Sequence, residues 1–243
     1  MKRREVHIVI AGLGNTGSHL APLVARLAPV TRLTLVDPDA YGAANRAGQA
    51  IAAADAGPKA EVQAARLRRI RPELEVTATV GRIEDVPLGR LRARLIVSCV
   101  DSRLARWRIN QIAWRLGVPW LDCGVRAAEW LARAAAFAPA AGAACLECAW
   151  GPQDYRLMEQ PYSCTAGEAA PTNAPAALGA LAAALVAVEV ARLAAGEAGA
   201  LAGRQIVYDG GRQRLAGASF RRNPRCAFDH AIWQVTPWPA PPE

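Results

Sequence analysis

Lysine is almost absent from this chain. Lys2 and Lys59 are the only two, so the 29 basic residues are nearly all arginine, set against 21 acidic ones for a net charge of +8. The arginines are dispersed, with only short clusters such as Arg66, Arg68, Arg69 and Arg71. A nucleic-acid reader concentrates its basic residues beside aromatic partners, and aromatics are only 6% of this chain. No nucleic-acid partner is therefore expected, and the charge fits an acidic protein partner or substrate. Long apolar runs are also missing. The longest, residues 174–188, is Ala- and Gly-rich, is closed by Glu189 and Arg192, and falls short of the roughly 18 residues of a membrane span. The opening MKRREVHIVIAG is basic then apolar like a signal peptide, but it runs straight into a glycine-rich loop and reads better as a first strand. With no targeting segment, the expected setting is the cytoplasm. Neither a Gly-X-Y period nor sustained heptads occur, which excludes collagen-like and coiled-coil architectures. Six cysteines in 243 residues do not make a small disulfide scaffold.

What is present is apolar content sufficient for a buried core, 52% of the chain, which excludes intrinsic disorder. The first half alternates strand-like and helix-like segments: strands at 6–11, 32–36, 74–79, 95–100 and 118–123, and helices at 16–27, 59–71 and 102–116. Such alternation predicts an α/β fold, a Rossmann-like, mostly parallel sheet with helices on both faces. After Cys123 the rhythm changes. Residues 129–139 read as extended, 153–171 as a polar mobile loop, 175–195 as a helix apolar nearly all round and hence buried, and 204–208 with 212–220 as a terminal antiparallel pair. The expectation is a single domain over 1–243, with a nucleotide-binding half to about 123 and a partner-binding half beyond it.

The strongest motif is Gly12-Leu13-Gly14-Asn15-Thr16-Gly17, a G-x-G-x-x-G between the first strand and helix. Its glycines let backbone approach a nucleotide, and the helix N-terminus offers N–H groups to phosphate. Asp37 ends the second strand and can accept from ribose hydroxyls. These features serve a nicotinamide dinucleotide or ATP equally. The following stretch separates the two, because a dehydrogenase has no need of Asp39, Asn45 and Gln49 or of Gly57-Pro58-Lys59 opening a helix. An ammonium at a helix N-terminus faces the dipole unfavourably unless an anion compensates, and a triphosphate supplies one; otherwise Lys59 is a solvated helix residue. At the edge of a central strand, Ser98-Cys99-Val100-Asp101-Ser102 places a carboxylate where ligands bind. There Asp101 either holds Mg²⁺ against phosphate or caps the next helix.

The cysteines divide. Cys145-x-x-Cys148 pairs with Cys226 and His230 about eighty residues on, a closed tetrahedral Zn²⁺ set that pins the tail to the body, with Asp229 as the rival fourth ligand. Redox-active thiols are the alternative. Cys164 lies in the polar loop as either an accessible nucleophile or an ordinary loop thiol. Cys99 and Cys123 end core strands and read as inert.

Taken together, GLGNTG, VDPD, Asn45, Gln49, GPK, CVDS, CLEC, Ser163-Cys164 and RRNPRC, in this order, resemble the ubiquitin-activating-enzyme-like superfamily of the bacterial ThiF, MoeB and HesA type. The resemblance runs from about residue 6 to residue 230. It implies a MgATP-dependent adenylyltransferase, a homodimer with structural zinc, that activates the C-terminal glycine of a small ubiquitin-like or sulfur-carrier protein ending in Gly-Gly. Carried over, Asp37 binds ribose, Lys59 the phosphates and Asp101 magnesium, with Ser102 beside it; Gly12, Gly14, Asn15 and Gly17 pack on the nucleotide and Asn45 orients it. Cys164 matches the mobile-loop cysteine that forms a covalent link to the activated partner in some members. Three departures stand out. Where the family reads Asn-x-x-Arg-Gln this chain has Gly48 before Gln49, with Arg46 the nearest replacement; Arg3 and Arg4 are the only counterparts of an N-terminal arginine; and the second zinc pair is Cys-x-x-x-His. The rival readings are an NAD-dependent oxidoreductase and a degenerate member that binds nucleotide or a ubiquitin-like partner without turnover.

Overall fold

The computed structural model describes residues 5–159, 174–199 and 201–234. β1 (Val6–Ala11) is a continuous apolar run, the pattern of a strand covered on both faces. It leads through the glycine loop into α1 (Gly17–Ala25). β2 (Val30–Asp37) follows, then a short antiparallel pair of β3 (Ala40–Tyr41) and β4 (Gly57–Pro58) that closes the intervening loop and that the sequence did not announce. α2 (Lys59–Ile70) buries Ala60, Gln63, Ala64 and Leu67 at helical spacing and exposes its arginines. β5 (Glu75–Val80), β6 (Leu95–Ser98), α3 (Arg103–Leu116) and β7 (Trp120–Arg126) complete the alternating half. Beyond it lie β8 (Leu131–Phe137), α4 (Pro152–Glu159), α5 (Ala176–Ala194), β9 (Arg204–Asp209) and β10 (Arg214–Ser219).

One eight-stranded sheet carries both halves, in the order β10-β9-β8-β7-β6-β1-β2-β5. β5, β2, β1, β6 and β7 run parallel; β8, β9 and β10 continue antiparallel. The pleat of β1 sorts the core into two layers. Ile8 and Ile10 face α1, α2 and α5 with Leu20, Ala64 and Val186, whereas Val9 and Ala11 face α3 with Ile109 and Ala113. Helices thus cover both faces of a mostly parallel sheet, the expected fold.

Two expectations need correction. The polar segment from residue 153 is not all loop: residues 152–159 form α4, which Arg103 of α3 holds through an ion pair to Asp154 at 2.7 Å. Residues 160–173, and Cys164 among them, lie outside the described residues. Nor is α5 buried all round. By length and composition it is apolar enough to cross a membrane, but its buried positions (Leu178, Ala182, Ala183, Val186, Val190) mark one face against α1, β7 and β8, while Val188 is 65% exposed. Glu189, expected to close the apolar run, is itself buried and accepts the Leu201 N–H at 2.9 Å.

Candidate functional site

The chain leaves β1 through α1 toward β2 on one side and later crosses from β5 back to β6 on the other, so a crevice opens at the C-terminal ends of β1 and β6. The glycine loop, Asp37 and the Val100–Ser102 turn all reach this edge. The three glycines do different work. Gly12 has φ +87°, and a Cβ there would stand 2.6 Å from the Cys99 carbonyl oxygen; a Cβ at Gly17 would stand 2.0 Å from the Gly12 oxygen. Both are packing glycines, fixing the loop on the end of β6. Gly14 has nothing within 4 Å of its Cβ position. It is where the loop faces open space and a ligand can approach the backbone.

The loop is held without a ligand. Asp37, nearly fully buried, accepts from the Leu13 N–H at 2.6 Å through Oδ2 and from the Asp39 N–H at 2.9 Å through Oδ1. Burial pushes its carboxyl above the usual range, with Lys59 and the two N–H groups opposing. On the other side of Leu13, the Tyr41 hydroxyl donates to its carbonyl at 2.6 Å and accepts from Gln63 Nε2 at 3.0 Å. Sequence reading missed Tyr41 and Gln63, because a tyrosine after a turn and a glutamine on a helix carry no motif.

Lys59 begins α2 and is only 7% exposed. Its Nζ lies 2.9 Å from Asp39 Oδ2 and 5.9 Å from the Tyr41 ring centre, and its backbone N–H donates to the Asp39 carbonyl at 2.8 Å. The ammonium is thus buried on its stem and paired with a carboxylate whose side chain is 66% exposed. Asn15 Nδ2 donates to the carbonyls of Gly48 at 2.5 Å and Ala174 at 3.0 Å, tying the glycine loop to the Asn45–Gln49 segment and to the entry of α5. The side-chain oxygens of Asn15 and Gln49 are buried without a hydrogen-bond partner among the described residues. Asn45 accepts from the Gly42 N–H at 2.8 Å and so shapes the short 3-10 helix Ala43–Ala47, on which Arg46 is exposed. At Gly48 a Cβ would meet the Ala174 oxygen at 3.0 Å and Asn15 Nδ2 at 3.3 Å, so the backbone there is packed tightly by its neighbours. At the far side of the crevice Asp101 is exposed, and the capping role belongs to its neighbour: Ser102 Oγ accepts from the Ala105 N–H at 3.0 Å. Arg3 and Arg4 lie outside the described residues.

The second cluster is complete. Cys145, Cys148, Cys226 and His230 bring their donor atoms within 4.8 Å of one another. Cys145 Sγ is 3.8 Å from both Cys148 Sγ and Cys226 Sγ, and Cys148 Sγ is 3.4 Å from His230 Nε2. Thiolates around a tetrahedral zinc with Zn–S of about 2.3 Å stand about 3.8 Å apart, so the donor set and its spacing fit that ion. His230 adopts a left-handed φ of 60° and its Nδ1 lies 2.6 Å from the Phe228 carbonyl, the arrangement in which Nδ1–H donates and Nε2 is left as the ligand atom. Burial pushes the Cys145 thiol up; at Cys148 burial acts the same way but is outweighed, chiefly by backbone hydrogen bonds from Asn223 and Cys145, which hold that thiol down. Asp229, the rival ligand, is engaged elsewhere, by Arg115 at 2.5 and 3.1 Å.

A model of the ThiF family matches residues 1–228. The chain belongs to the ThiF family. Over 138 residues it is 30% identical to ubiquitin-like modifier-activating enzyme 5 of Oryza sativa subsp. japonica, covering 50% of this chain and 32% of the rice protein. Crystal structures of E. coli MccB with ATP, and with AMPCPP and MccA, match with TM-score 0.73 at 21% identity, over 91% of this chain and 65% and 66% of MccB. PaaA matches with TM-score 0.63 at 16% identity, over 89% of this chain and 64% of PaaA. The chain thus spans about a third of the rice protein and about two-thirds of MccB, and the structural likeness is one of fold.

Proposed function

We propose that this ThiF-family chain is an ATP-dependent adenylyltransferase acting on the C-terminal glycine carboxylate of a small ubiquitin-like or sulfur-carrier protein that ends in Gly-Gly. The observation that carries the reading is the buried Lys59 ammonium beside Asp37 and Asp39, next to a glycine loop whose one open position is Gly14. A carboxylate oxygen of the carrier attacks the α-phosphorus, the bond to the oxygen bridging to the β-phosphate breaks, and pyrophosphate leaves. The protein contributes positioning and preorganised positive charge. Lys59 exchanges its Asp39 partner for phosphate oxygens, Asp37 faces the ribose, and Gly12, Asn15, Gly17, Asn45 and Gln49 hold the loops around the nucleotide. Asp101, with Ser102 beside it, faces the metal-bound phosphates; Mg²⁺ there would neutralise charge developing on the leaving pyrophosphate. Arg46 is the candidate substitute for the family's loop arginine and Cys164 the candidate acceptor of the activated acyl group. Zinc at Cys145, Cys148, Cys226 and His230 would be structural. The same reading makes the protein a cytoplasmic homodimer. It also makes each chain a single folded unit, and the one sheet running through both halves supports that last part alone.

One observation favours a second reading, a member that binds nucleotide without turnover. The residue standing where the family's loop arginine belongs is Gly48, packed at 3.0 Å against the Ala174 oxygen. ATP–pyrophosphate exchange with Gly-Gly-tailed carrier proteins of the source organism separates the two. Adenylation predicts exchange that needs the carrier's tail and falls about 10²–10³-fold in Lys59→Ala. ATP binding without exchange for any carrier supports the second reading, and absence of ATP binding overturns both.

A further inference from the structure

Beside the C-terminal end of β6, β7 carries a buried ionised group that the proposed chemistry does not use. Asp122 has no exposed surface. Its Oδ1 accepts from Ser98 Oγ at 3.0 Å and from Arg106 Nε at 3.0 Å, and its Oδ2 accepts from Arg133 of β8. Burial pushes this carboxyl up, but Arg106 and Arg133 outweigh it and hold the group below the usual carboxylate range. A charge so fully desolvated persists only with such partners, and a well-packed apolar residue would serve a core as well.

The fork of Arg106 gives the network a second purpose. While Nε is held by Asp122, Nη2 donates to the Val100 carbonyl at 2.6 Å and Nη1 to the Asp101 carbonyl at 3.1 Å. The same guanidinium passes 3.2 Å from where a Cβ of Gly124 would stand, so that glycine leaves it room. One planar cation therefore grips two successive peptide carbonyls of the turn between β6 and α3, and a buried anion sets its orientation. We propose that Asp122 is a positioning residue of the nucleotide site: through Arg106 it fixes the backbone of Val100 and Asp101 and so aims the Asp101 carboxylate at the metal-bound phosphates.

The proposal rests on the reading of Asp101 given above, and its test separates the two. Binding of α,β-methylene-ATP to the full chain is measured calorimetrically with Mg²⁺ and in EDTA, alongside the thermal midpoint of each variant. Asp122→Asn is expected to cut the Mg²⁺-dependent gain in affinity at least fivefold while affinity in EDTA stays within twofold. Asp101→Ala does the same, and the double variant is no worse than either single one. Arg106→Lys keeps the cation but loses the fork, so it reproduces the loss even if Asp122→Asn folds poorly. A lowered midpoint with an unchanged Mg²⁺ gain in both Asp122→Asn and Arg106→Lys overturns the positioning role. Independent, multiplying losses in the double variant do so too. A wild-type chain that binds the analogue with no Mg²⁺ gain overturns the reading of Asp101 itself, and the proposal with it.

Discussion

In the crevice toward the N-terminal end of α3, Lys59, Asp37 and the glycine-loop backbone are already held by partners within the protein. Around the C-terminal end of that helix, three thiols and an imidazole crowd together with few partners but one another. Lys59 has Asp39, Asp37 has two backbone N–H groups, and Leu13 is held on both sides of its peptide. The site is built before any ligand arrives, which is how a catalyst avoids reorganisation during reaction. The cysteine cluster is different. Its tail is drawn in partly by Arg115, whose side chain pairs with Asp229 and stacks on Phe228 and Trp233 and whose backbone carbonyl accepts from the Trp233 backbone N–H at 2.7 Å. The four donor atoms themselves are arranged for an ion. A crevice preorganised by the fold and a donor set suited to a metal thus sit at opposite ends of one helix.

The largest expected effect breaks the comparison at the metal end. Removing a bound metal with a chelator, or Cys226→Ser, is expected to cost about 5 kcal/mol, roughly 10–20 °C in midpoint for a chain of this size. Metal content of about one zinc per chain and a thermal scan check this; a metal-free chain with an unchanged midpoint speaks against it. Next comes the buried carboxylate at the other end. Asp122→Asn removes one member of a desolvated ion network and is expected to cost about 3 kcal/mol at pH 7. Because folding lowers this carboxyl's pKa below its ordinary 3.8, the folded chain binds the proton less readily than the unfolded one. The stabilisation is therefore complete above that value and fades as the pH falls below it. Thermal midpoints of wild type and variant should converge in acid, and a gap that persists unchanged there contradicts the assignment.

Smaller effects sharpen the contrast. Asn110 of α3 accepts from the Leu146 N–H at 3.1 Å and donates to buried Glu147, which also receives the Tyr155 hydroxyl at 2.9 Å. Asn110→Ala should lower stability by about 2 kcal/mol and metal affinity about tenfold, read by competition with a chelating dye, and leave ATP affinity unchanged. Smallest, and confined to the nucleotide end, Gly14→Ala should weaken ATP binding about tenfold, or about 1.4 kcal/mol, with the midpoint unchanged because nothing stands near the new methyl. Gly17→Ala, whose methyl would strike the Gly12 carbonyl, should instead lower the midpoint.

Much of the fold was legible because its signals are local. The apolar run of β1, the glycine turn after it and the Asp37 that closes β2 each read in a few residues, and the alternation of strands and helices implied the parallel sheet. The elements that were misread show where locality ends. α4 was taken for loop because its residues are polar and its hold on the protein, Arg103 to Asp154, joins positions fifty-one apart. α5 looked buried all round because alanine is apolar whichever way it faces.

For the site, sequence fixed the chemical inventory: one lysine at a helix start, acidic residues at strand ends, a Cys-x-x-Cys with a distant Cys and His, and a family pattern over nearly the whole chain. Only the tertiary structure decided which glycine faces open space, that Ser102 rather than Asp101 caps α3, that Asp229 belongs to Arg115 and His230 to the cysteines, and that Asp122, Tyr41 and Gln63 support the crevice. The reason is physical. A residue's type sets what bonds it can make, while its partner is chosen by strands and helices far apart in the chain, whose packing places one donor and not another within reach.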